Sequence, residues 1–327
     1  MNITKENDFK ITIDIDSINE FYNLIYFNNL NEECIKNINF MDGFIFRGVS
    51  NSEYKLCPSV LRNSNLILND QIIKEATLLQ NFYKLCNDNG LNVPCNQDIS
   101  HMYFTDLIES KLWYKEGIDV WLDKGVLELA ALAQHYGVPT RLLDWSQDVN
   151  VAMYFATINS IKNMKSNPKA TSNKYFSLWA LNIKLLQLIN KSLREKNLAT
   201  IPLRTVIPSY SNNANLCAQK GVLTSWELNL RGTYEKGLWN EVINEDTEDL
   251  LVEFLNGLSP KGLVYNVLFK FNFSYNLIYN AWEYLNKVNY TTSKIFPGYS
   301  GVANQIKELP LFDFFINNSY SKNTIKL

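Results

Sequence analysis

The chain has 327 residues, 46% of them hydrophobic and 20% charged, and a formal net charge of −2. That balance excludes an intrinsically disordered chain and allows one sizeable core or two smaller ones. The near-neutral charge argues against strong non-specific binding to duplex DNA, no apolar run is long enough for a membrane span, and the N-terminus carries no apolar signal core.

In chain order, Ile11-Thr12-Ile13-Asp14-Ile15 alternates apolar and polar, the pattern of a half-buried strand. Ser17 to Leu30 reads as a helix, with Ser17 as N-cap and Glu20 in capping-box position. Phe44 to Gly48 is a short strand ending at a glycine, and Cys57-Pro58-Ser59 is a turn. Asn69 to Cys86 has helical spacing, with Ile72, Ile73, Ala76, Leu79 and Phe82 on one side. A loop from Asn87 to Ser100 precedes two helical pieces between Met102 and Leu122, broken near Gly117. Val126 to Tyr136 is apolar on most faces and predicts a buried helix, which Gly137 ends and Pro139 cannot continue. Asp148 caps the next helix, which runs to about Met164, and the polar run Lys165 to Lys174 is a candidate mobile connection.

Phe176 to Leu181 predicts a strand, Lys184 to Lys196 a helix, Val222 to Leu230 and Leu263 to Phe273 further strands, and Tyr275 to Lys287 a helix. A Pro-Gly turn and a short helix occupy Phe296 to Leu309. Strands and helices interleave irregularly, so the expected fold is α+β, with a mixed or antiparallel sheet rather than a doubly wound one. The expected division is an N-terminal strand and helix over 1–43, a main domain over 44–309 with a helical insertion at about 69–124, and a tail over 310–327.

The densest chemistry lies in Gln134-His135-Tyr136-Gly137-Val138-Pro139-Thr140-Arg141-Leu142-Leu143-Asp144-Trp145-Ser146, a polar loop at a helix end, where binding groups tend to sit. His135 is one of two histidines and is either a general base or a packed, hydrogen-bonded ring. If the following stretch is extended, Arg141 and Asp144 point to opposite sides and need not pair. Trp145 is a core residue or a stacking plate for a flat ring. Arg47, among Phe44, Phe46 and Val49, suits a phosphate or carboxylate ligand, or else a buried ion pair with Glu75 or Asp144; the same choice applies to Arg62. The acidic run Glu245-Asp246 and Glu248-Asp249 reads as a solvated face. The cysteines Cys34, Cys57, Cys86, Cys95 and Cys217 form no Cys-x-x-Cys pair, so no metal is expected, and reduced thiols fit a cytoplasmic setting. Phosphate-loop and dinucleotide glycine motifs are absent from the sequence.

Phe46-Arg47-Gly48, the Pro58-Ser59-x-x-Arg62 turn, Glu75, the segment from Gln134 to Ser146 and Ala152-x-Tyr154-Phe155-Ala156 together resemble the FRG domain family, named after its Phe-Arg-Gly motif. Gln219-Lys220-Gly221-Val222-Leu223-Thr224 and Ile295-Phe296-Pro297-Gly298-Tyr299-Ser300-Gly301-Val302-Ala303 fit as well, so the resemblance runs from about Phe44 to Leu309. Family members are largely bacterial and phage-borne, which implies a toxin or anti-phage effector. Phe46-Arg47-Gly48, followed later by Ser146 and Ala152 to Ala156, is also similar to ADP-ribosyltransferases of the Arg-Ser-Glu type. The departures are Ser146-Gln147-Asp148 in place of a Ser-Thr-Ser strand, and the lack of a late Glu-x-Glu or Gln-x-Glu pair; Glu227 and Glu308 are the nearest glutamates.

That second resemblance implies NAD as substrate. Arg47 would hold its pyrophosphate or ribose, and Ser146 would order the nicotinamide ribose. Tyr136 or Trp145 would stack on a ring, and His135 or a glutamate would polarise the ribose hydroxyl. Asp144 or Glu75 would face the oxocarbenium-like centre. Arg62, Gln134, Thr140, Arg141 and Gln219 complete the expected substrate-binding set, with His135, Arg47, Asp144 and Glu75 as the catalytic candidates. Two alternatives stay open: a nucleotide-like or nucleic-acid ligand gripped by Arg47, Arg62 and Arg141 without NAD chemistry, and a non-catalytic interaction domain whose polar loop is a buried network.

Overall fold

Helix and strand boundaries follow local chemistry closely. The computed structural model of the chain describes residues 1–27, 35–36, 38–62, 64–94, 120–122, 124–166, 174–211, 213–230, 236, 241–242, 246–258 and 266–310. Ten strands are described: β1 (Asn2–Lys5), β2 (Lys10–Ile15), β3 (Phe44–Val49), β4 (Val120–Trp121), β5 (Leu143–Ser146), β6 (Tyr175–Asn182), β7 (Leu203–Val206), β8 (Gly221–Trp226), β9 (Leu228–Asn229) and β10 (Leu268–Ser274). The helices are α1 (Ile18–Phe27), α2 (Leu68–Asp88), α3 (Leu127–His135), α4 (Val149–Ser166), α5 (Ile183–Glu195), α6 (Ala214–Ala218), α7 (Thr247–Leu258), α8 (Ile278–Lys287) and α9 (Thr292–Ile295), and residues 299–310 are also helical.

Eight strands form one mixed sheet in the order β1-β2-β10-β6-β3-β5-β8-β7. The β2–β10 pair is parallel and the other pairings are antiparallel. The fold is therefore mixed, as the irregular interleaving of elements implied. The helical pieces expected between Met102 and Leu122 lie outside the described residues up to 119; Val120–Trp121 is a short strand paired with β9. Most of the polar connection after Lys165 and of the tail after residue 310 also lies outside them.

Alternation along the strands sorts side chains onto two faces. On one face, Phe269, Phe271 and Phe273 of β10, Phe176 and Leu178 of β6, and Phe44 and Phe46 of β3 pack under α1, α4 and α8. Helix α4 is apolar nearly all round because the sheet lies beneath it and α8 lies against it. On the opposite face, Ile45, Leu143, Trp145, Trp179 and Val222 pack against α5 and α7. A third cluster joins α2 and α3 to Leu142, Val206 and Leu223 at the far end of the sheet. Two helical packs thus share the first face, and the seam between them runs over β3 and β5.

Several expected stop and start signals act as expected. The Ser17 hydroxyl accepts from the Glu20 N–H at 3.2 Å, and the Asp148 carboxylate accepts from the Asn150 N–H at 3.0 Å. Gly137 follows α3 with φ of 90°, the left-handed conformation that closes a helix at low cost only for glycine. The run Val222 to Leu230 is two strands, broken where the Glu227 N–H donates to the Pro202 carbonyl. The acidic run after Glu245 is only partly the expected solvated face: Asp249 is exposed. Asp246 is buried, because it caps α7 through the Glu248 N–H at 2.8 Å, and the Lys10 ammonium pairs with Glu248. Among the described residues no helix is long and apolar enough to cross a membrane.

Candidate functional site

The seam between the two helical packs opens into a cavity of about 360 Å³. Sheet register explains its floor. Phe46 of β3 lies opposite Ser146 of β5; Ser146 lies opposite Gly221 of β8 and Asp144 opposite Leu223. All of these residues line the cavity. Its walls are Ala131, Gln134 and His135 from α3 on one side, and Val151, Ala152, Phe155 and Asn159 from α4 on the other. Leu216, Gln219 and Phe296 close the end.

The glycine of Phe-Arg-Gly has a packing reason. A Cβ on Gly48 would sit 1.9 Å from the Ala152 carbonyl oxygen, so only glycine lets the α4 backbone lie directly on β3. The arginine before it sits where the sheet parts. A single residue pair, Phe46 with Ser146, joins β3 to β5. Beyond it the Arg47 guanidinium takes the place of ladder bonds, its Nη1 donating to the Asp144 carbonyl oxygen at 2.7 Å. The Asp144 carboxylate is 3.8 Å from the same nitrogen, a loose ion pair. Arg47 Nε is buried and has no hydrogen-bond partner. Burial pulls the guanidinium pKa down from its ordinary value; Asp144 opposes that shift and Arg62 adds to it. An arginine remains charged under such a shift, so a cation lines a hollow that carries, among the described residues, one carboxylate.

That carboxylate is held by a chain of side chains. Gln134 Nε2 donates to Asp144 Oδ1, and Gln134 Oε1 accepts from the Thr140 hydroxyl. Thr140 accepts in turn from the Leu142 N–H at 3.1 Å. The Thr140 backbone exchanges hydrogen bonds with the Ser59 hydroxyl at 3.2 and 3.3 Å. The Pro58-Ser59 turn and the Gly-x-Pro-Thr loop are thereby tied together, and Asp144 is aimed across the cleft. His135 stands beside it, half-buried and edge-on to Tyr136 with ring centroids 5.2 Å apart. Its ring makes no hydrogen bond among the described residues. Burial lowers its pKa from the ordinary 6.5, with Asp144 opposing, so the imidazole is mainly the neutral base at neutral pH.

Of the twelve residues expected at the site, Arg47, Gln134, His135, Asp144, Trp145, Ser146 and Gln219 line the cleft, and the others do not. Glu75 is closed into a separate buried network. Its carboxylate accepts from Arg141 Nε at 2.9 Å and Nη2 at 3.0 Å, from Gln71 Nε2 at 2.7 Å and from Trp121 Nε1 at 2.7 Å. Four donors saturate it, so Glu75 and Arg141 hold α2 to the loop before β5 and neither faces the cleft. Thr140 acts through Gln134, as described. Tyr136 is 70% exposed outside the cavity. Arg62 is exposed and donates to the Cys57 carbonyl at 3.1 Å.

Two lining residues are already engaged. The indole of Trp145 is buried, its Nε1 donating to the Thr224 hydroxyl at 2.9 Å, which makes it a core residue rather than a free stacking plate. Ser146 donates to the Gln219 carbonyl at 2.7 Å and accepts from the Asp148 N–H at 2.9 Å, so its hydroxyl is committed to the start of α4. Neither late glutamate lines the cavity: Glu227 pairs with Arg204, and Glu308 lies in an adjoining groove. Phe155 enters the sequence reading only within the Ala152–Ala156 motif, and neither it nor Val151 or Asn159 was expected to line the site, although their four-residue spacing on α4 is the signal of a shared helix face. No local signal brings in Phe296, more than a hundred residues away in the chain.

Fold and cleft together define a mixed α/β protein with a preformed, half-polar cleft at a strand split. Residues 42–165 match the family model of the FRG domain, and the chain carries an FRG domain that runs from β3 into α4. The Gln219 and Phe296 segments lie beyond the matched stretch but close the same cleft. No curated protein and no solved structure matches the chain.

Proposed function

We propose that the cleft binds NAD and breaks its nicotinamide–ribose bond, passing ADP-ribose to an acceptor, as the activity of a toxin or anti-phage effector. One observation carries this reading: a cation, a carboxylate and a neutral imidazole converge on one hollow with phenylalanine walls. The cavity volume is within the range of small-molecule sites, roughly 300–1,000 Å³. A phosphate oxygen would engage the guanidinium of Arg47, whose planar fork suits phosphate. The nicotinamide ring would lie against Phe155 and Phe296.

The C1′–N bond breaks and its electron pair leaves with nicotinamide. Positive charge grows on the ribosyl carbon, and Asp144 is the carboxylate that lines the cleft to stabilise it. Gln134 and Thr140 are positioning residues that fix the aim of Asp144. An acceptor hydroxyl or amine then bonds to C1′, and its proton passes to the His135 imidazole. Ser146, committed to the protein backbone, shapes the floor and takes no direct part.

The test is incubation of the purified protein with NAD, with and without cell extract, following nicotinamide release. Release that falls with Arg47→Met and Asp144→Asn, in variants that unfold like the parent, supports the reading. No release under any condition opposes it. If Arg47→Met and His135→Gln simply fail to fold, the polar loop is a structural network and the cleft is not catalytic.

A further inference from the structure

A second groove of about 500 Å³ adjoins the cleft. The two share Phe155, Asn159 and Phe296 as a common ridge. The phenyl rings there meet edge to face, with centroids 6.0 Å apart and planes at 87°. Across the ridge, Lys162, Asn304 and Lys307 line the groove. Glu308 lines it too, but both its oxygens are engaged, one accepting from the Thr292 hydroxyl and the other 3.3 Å from Lys162 Nζ. Lys307 is exposed and makes no ion pair among the described residues. With Glu308 engaged by Lys162, Lys307 is left as the free charge of the groove.

We propose that this groove is a nucleoside-phosphate subsite. A base packs on the Phe155–Phe296 ridge, the amides of Asn159 and Asn304 meet its polar edge, and Lys307 meets the phosphate. Aromatic faces, amides and lysines in one open groove are the elements by which unpaired nucleotides are held. Such a group comes from one of two sources: the distal half of a dinucleotide whose reactive half sits in the cleft, or one nucleotide of a single strand. The subsite stands on its own residues and does not require that the cleft break a glycosidic bond.

The experiment is a binding titration at low salt with AMP and, separately, with a short labelled single-stranded RNA. It uses the full chain, Lys307→Glu and Asn304→Ala. We expect saturable binding of at least one probe, weakened about tenfold by Lys307→Glu, the equivalent of ~1.4 kcal/mol. Lys307 and Asn304 are exposed, so their variants should fold as the parent does. AMP binding assigns the subsite to the distal half of a dinucleotide; RNA binding with no AMP binding assigns it to a strand. Failure of both probes, or binding indifferent to Lys307→Glu and Asn304→Ala, overturns the proposal, whatever the NAD assay gives.

Discussion

Two arginines with carboxylate partners, less than one hundred residues apart, do opposite things. Arg141 is 1% exposed and makes two bonds to Glu75, whose remaining capacity is filled by Gln71 and Trp121. Arg47 stands at a strand split, holds a backbone carbonyl, sits loosely beside Asp144 and keeps one buried donor unspent. A closed network stabilises the fold by being complete. An open one is costly in a stable protein unless a ligand completes it, and that contrast is the reason for proposing Arg47, and not Arg141, as the ligand-binding residue.

Breaking the closed pair should have the largest effect. Glu75→Ala leaves a buried guanidinium uncompensated, and we expect a loss of about 3–5 kcal/mol, read as a lower unfolding midpoint in denaturant. Gly48→Ala forces a methyl onto the Ala152 carbonyl, and we expect a loss of about 1–3 kcal/mol in the same measurement, because α4 must lift from β3. Arg47→Met should do the reverse of Glu75→Ala. Stability should change by about 1 kcal/mol, while affinity for an anionic ligand falls between about tenfold and a hundredfold, the range of a hydrogen bond to a charged group. Equal stability losses in Glu75→Ala and Arg47→Met would erase the distinction between the two pairs.

The smallest effect concerns pH. Burial lowers the His135 pKa below the ordinary 6.5, so the folded protein binds fewer protons at this ring than the unfolded chain in the window between the two values. Stability from this group is therefore fully present above pH 6.5 and falls as pH drops through that window to the lower folded value. As a general base, His135 would give a rate that rises with pH with a midpoint below 6.5. His135→Gln should remove that rising limb and flatten the small stability slope; a limb that survives the substitution assigns it to another group.

Much of this arrangement was legible in the sequence because it is local. Leu143, Asp144, Trp145 and Ser146 alternate as a strand must, which sends Asp144 to the cleft and Trp145 to the core. Gly137 and Asp148 announce the helix end and start that frame the polar loop. The alternation misleads only at Arg141, which precedes the strand and turns to Glu75 on α2, 66 residues away. Nothing in a local pattern can choose between Glu75 and Asp144 as the partner of Arg47; that choice is made by the β3–β5 register and by the prior engagement of Glu75. The reach of Phe296 into the cleft is equally a product of tertiary packing, as is the commitment of the Ser146 hydroxyl to Gln219 and α4.

The most direct measurement of the central claim is ADP-ribose binding to the parent and to Arg47→Met, with unfolding midpoints recorded on the same samples. The account expects saturable binding by the parent, binding lost or weakened at least about tenfold in the variant, and midpoints that nearly coincide. Equal affinity in the two proteins, or no binding by the parent, would contradict it.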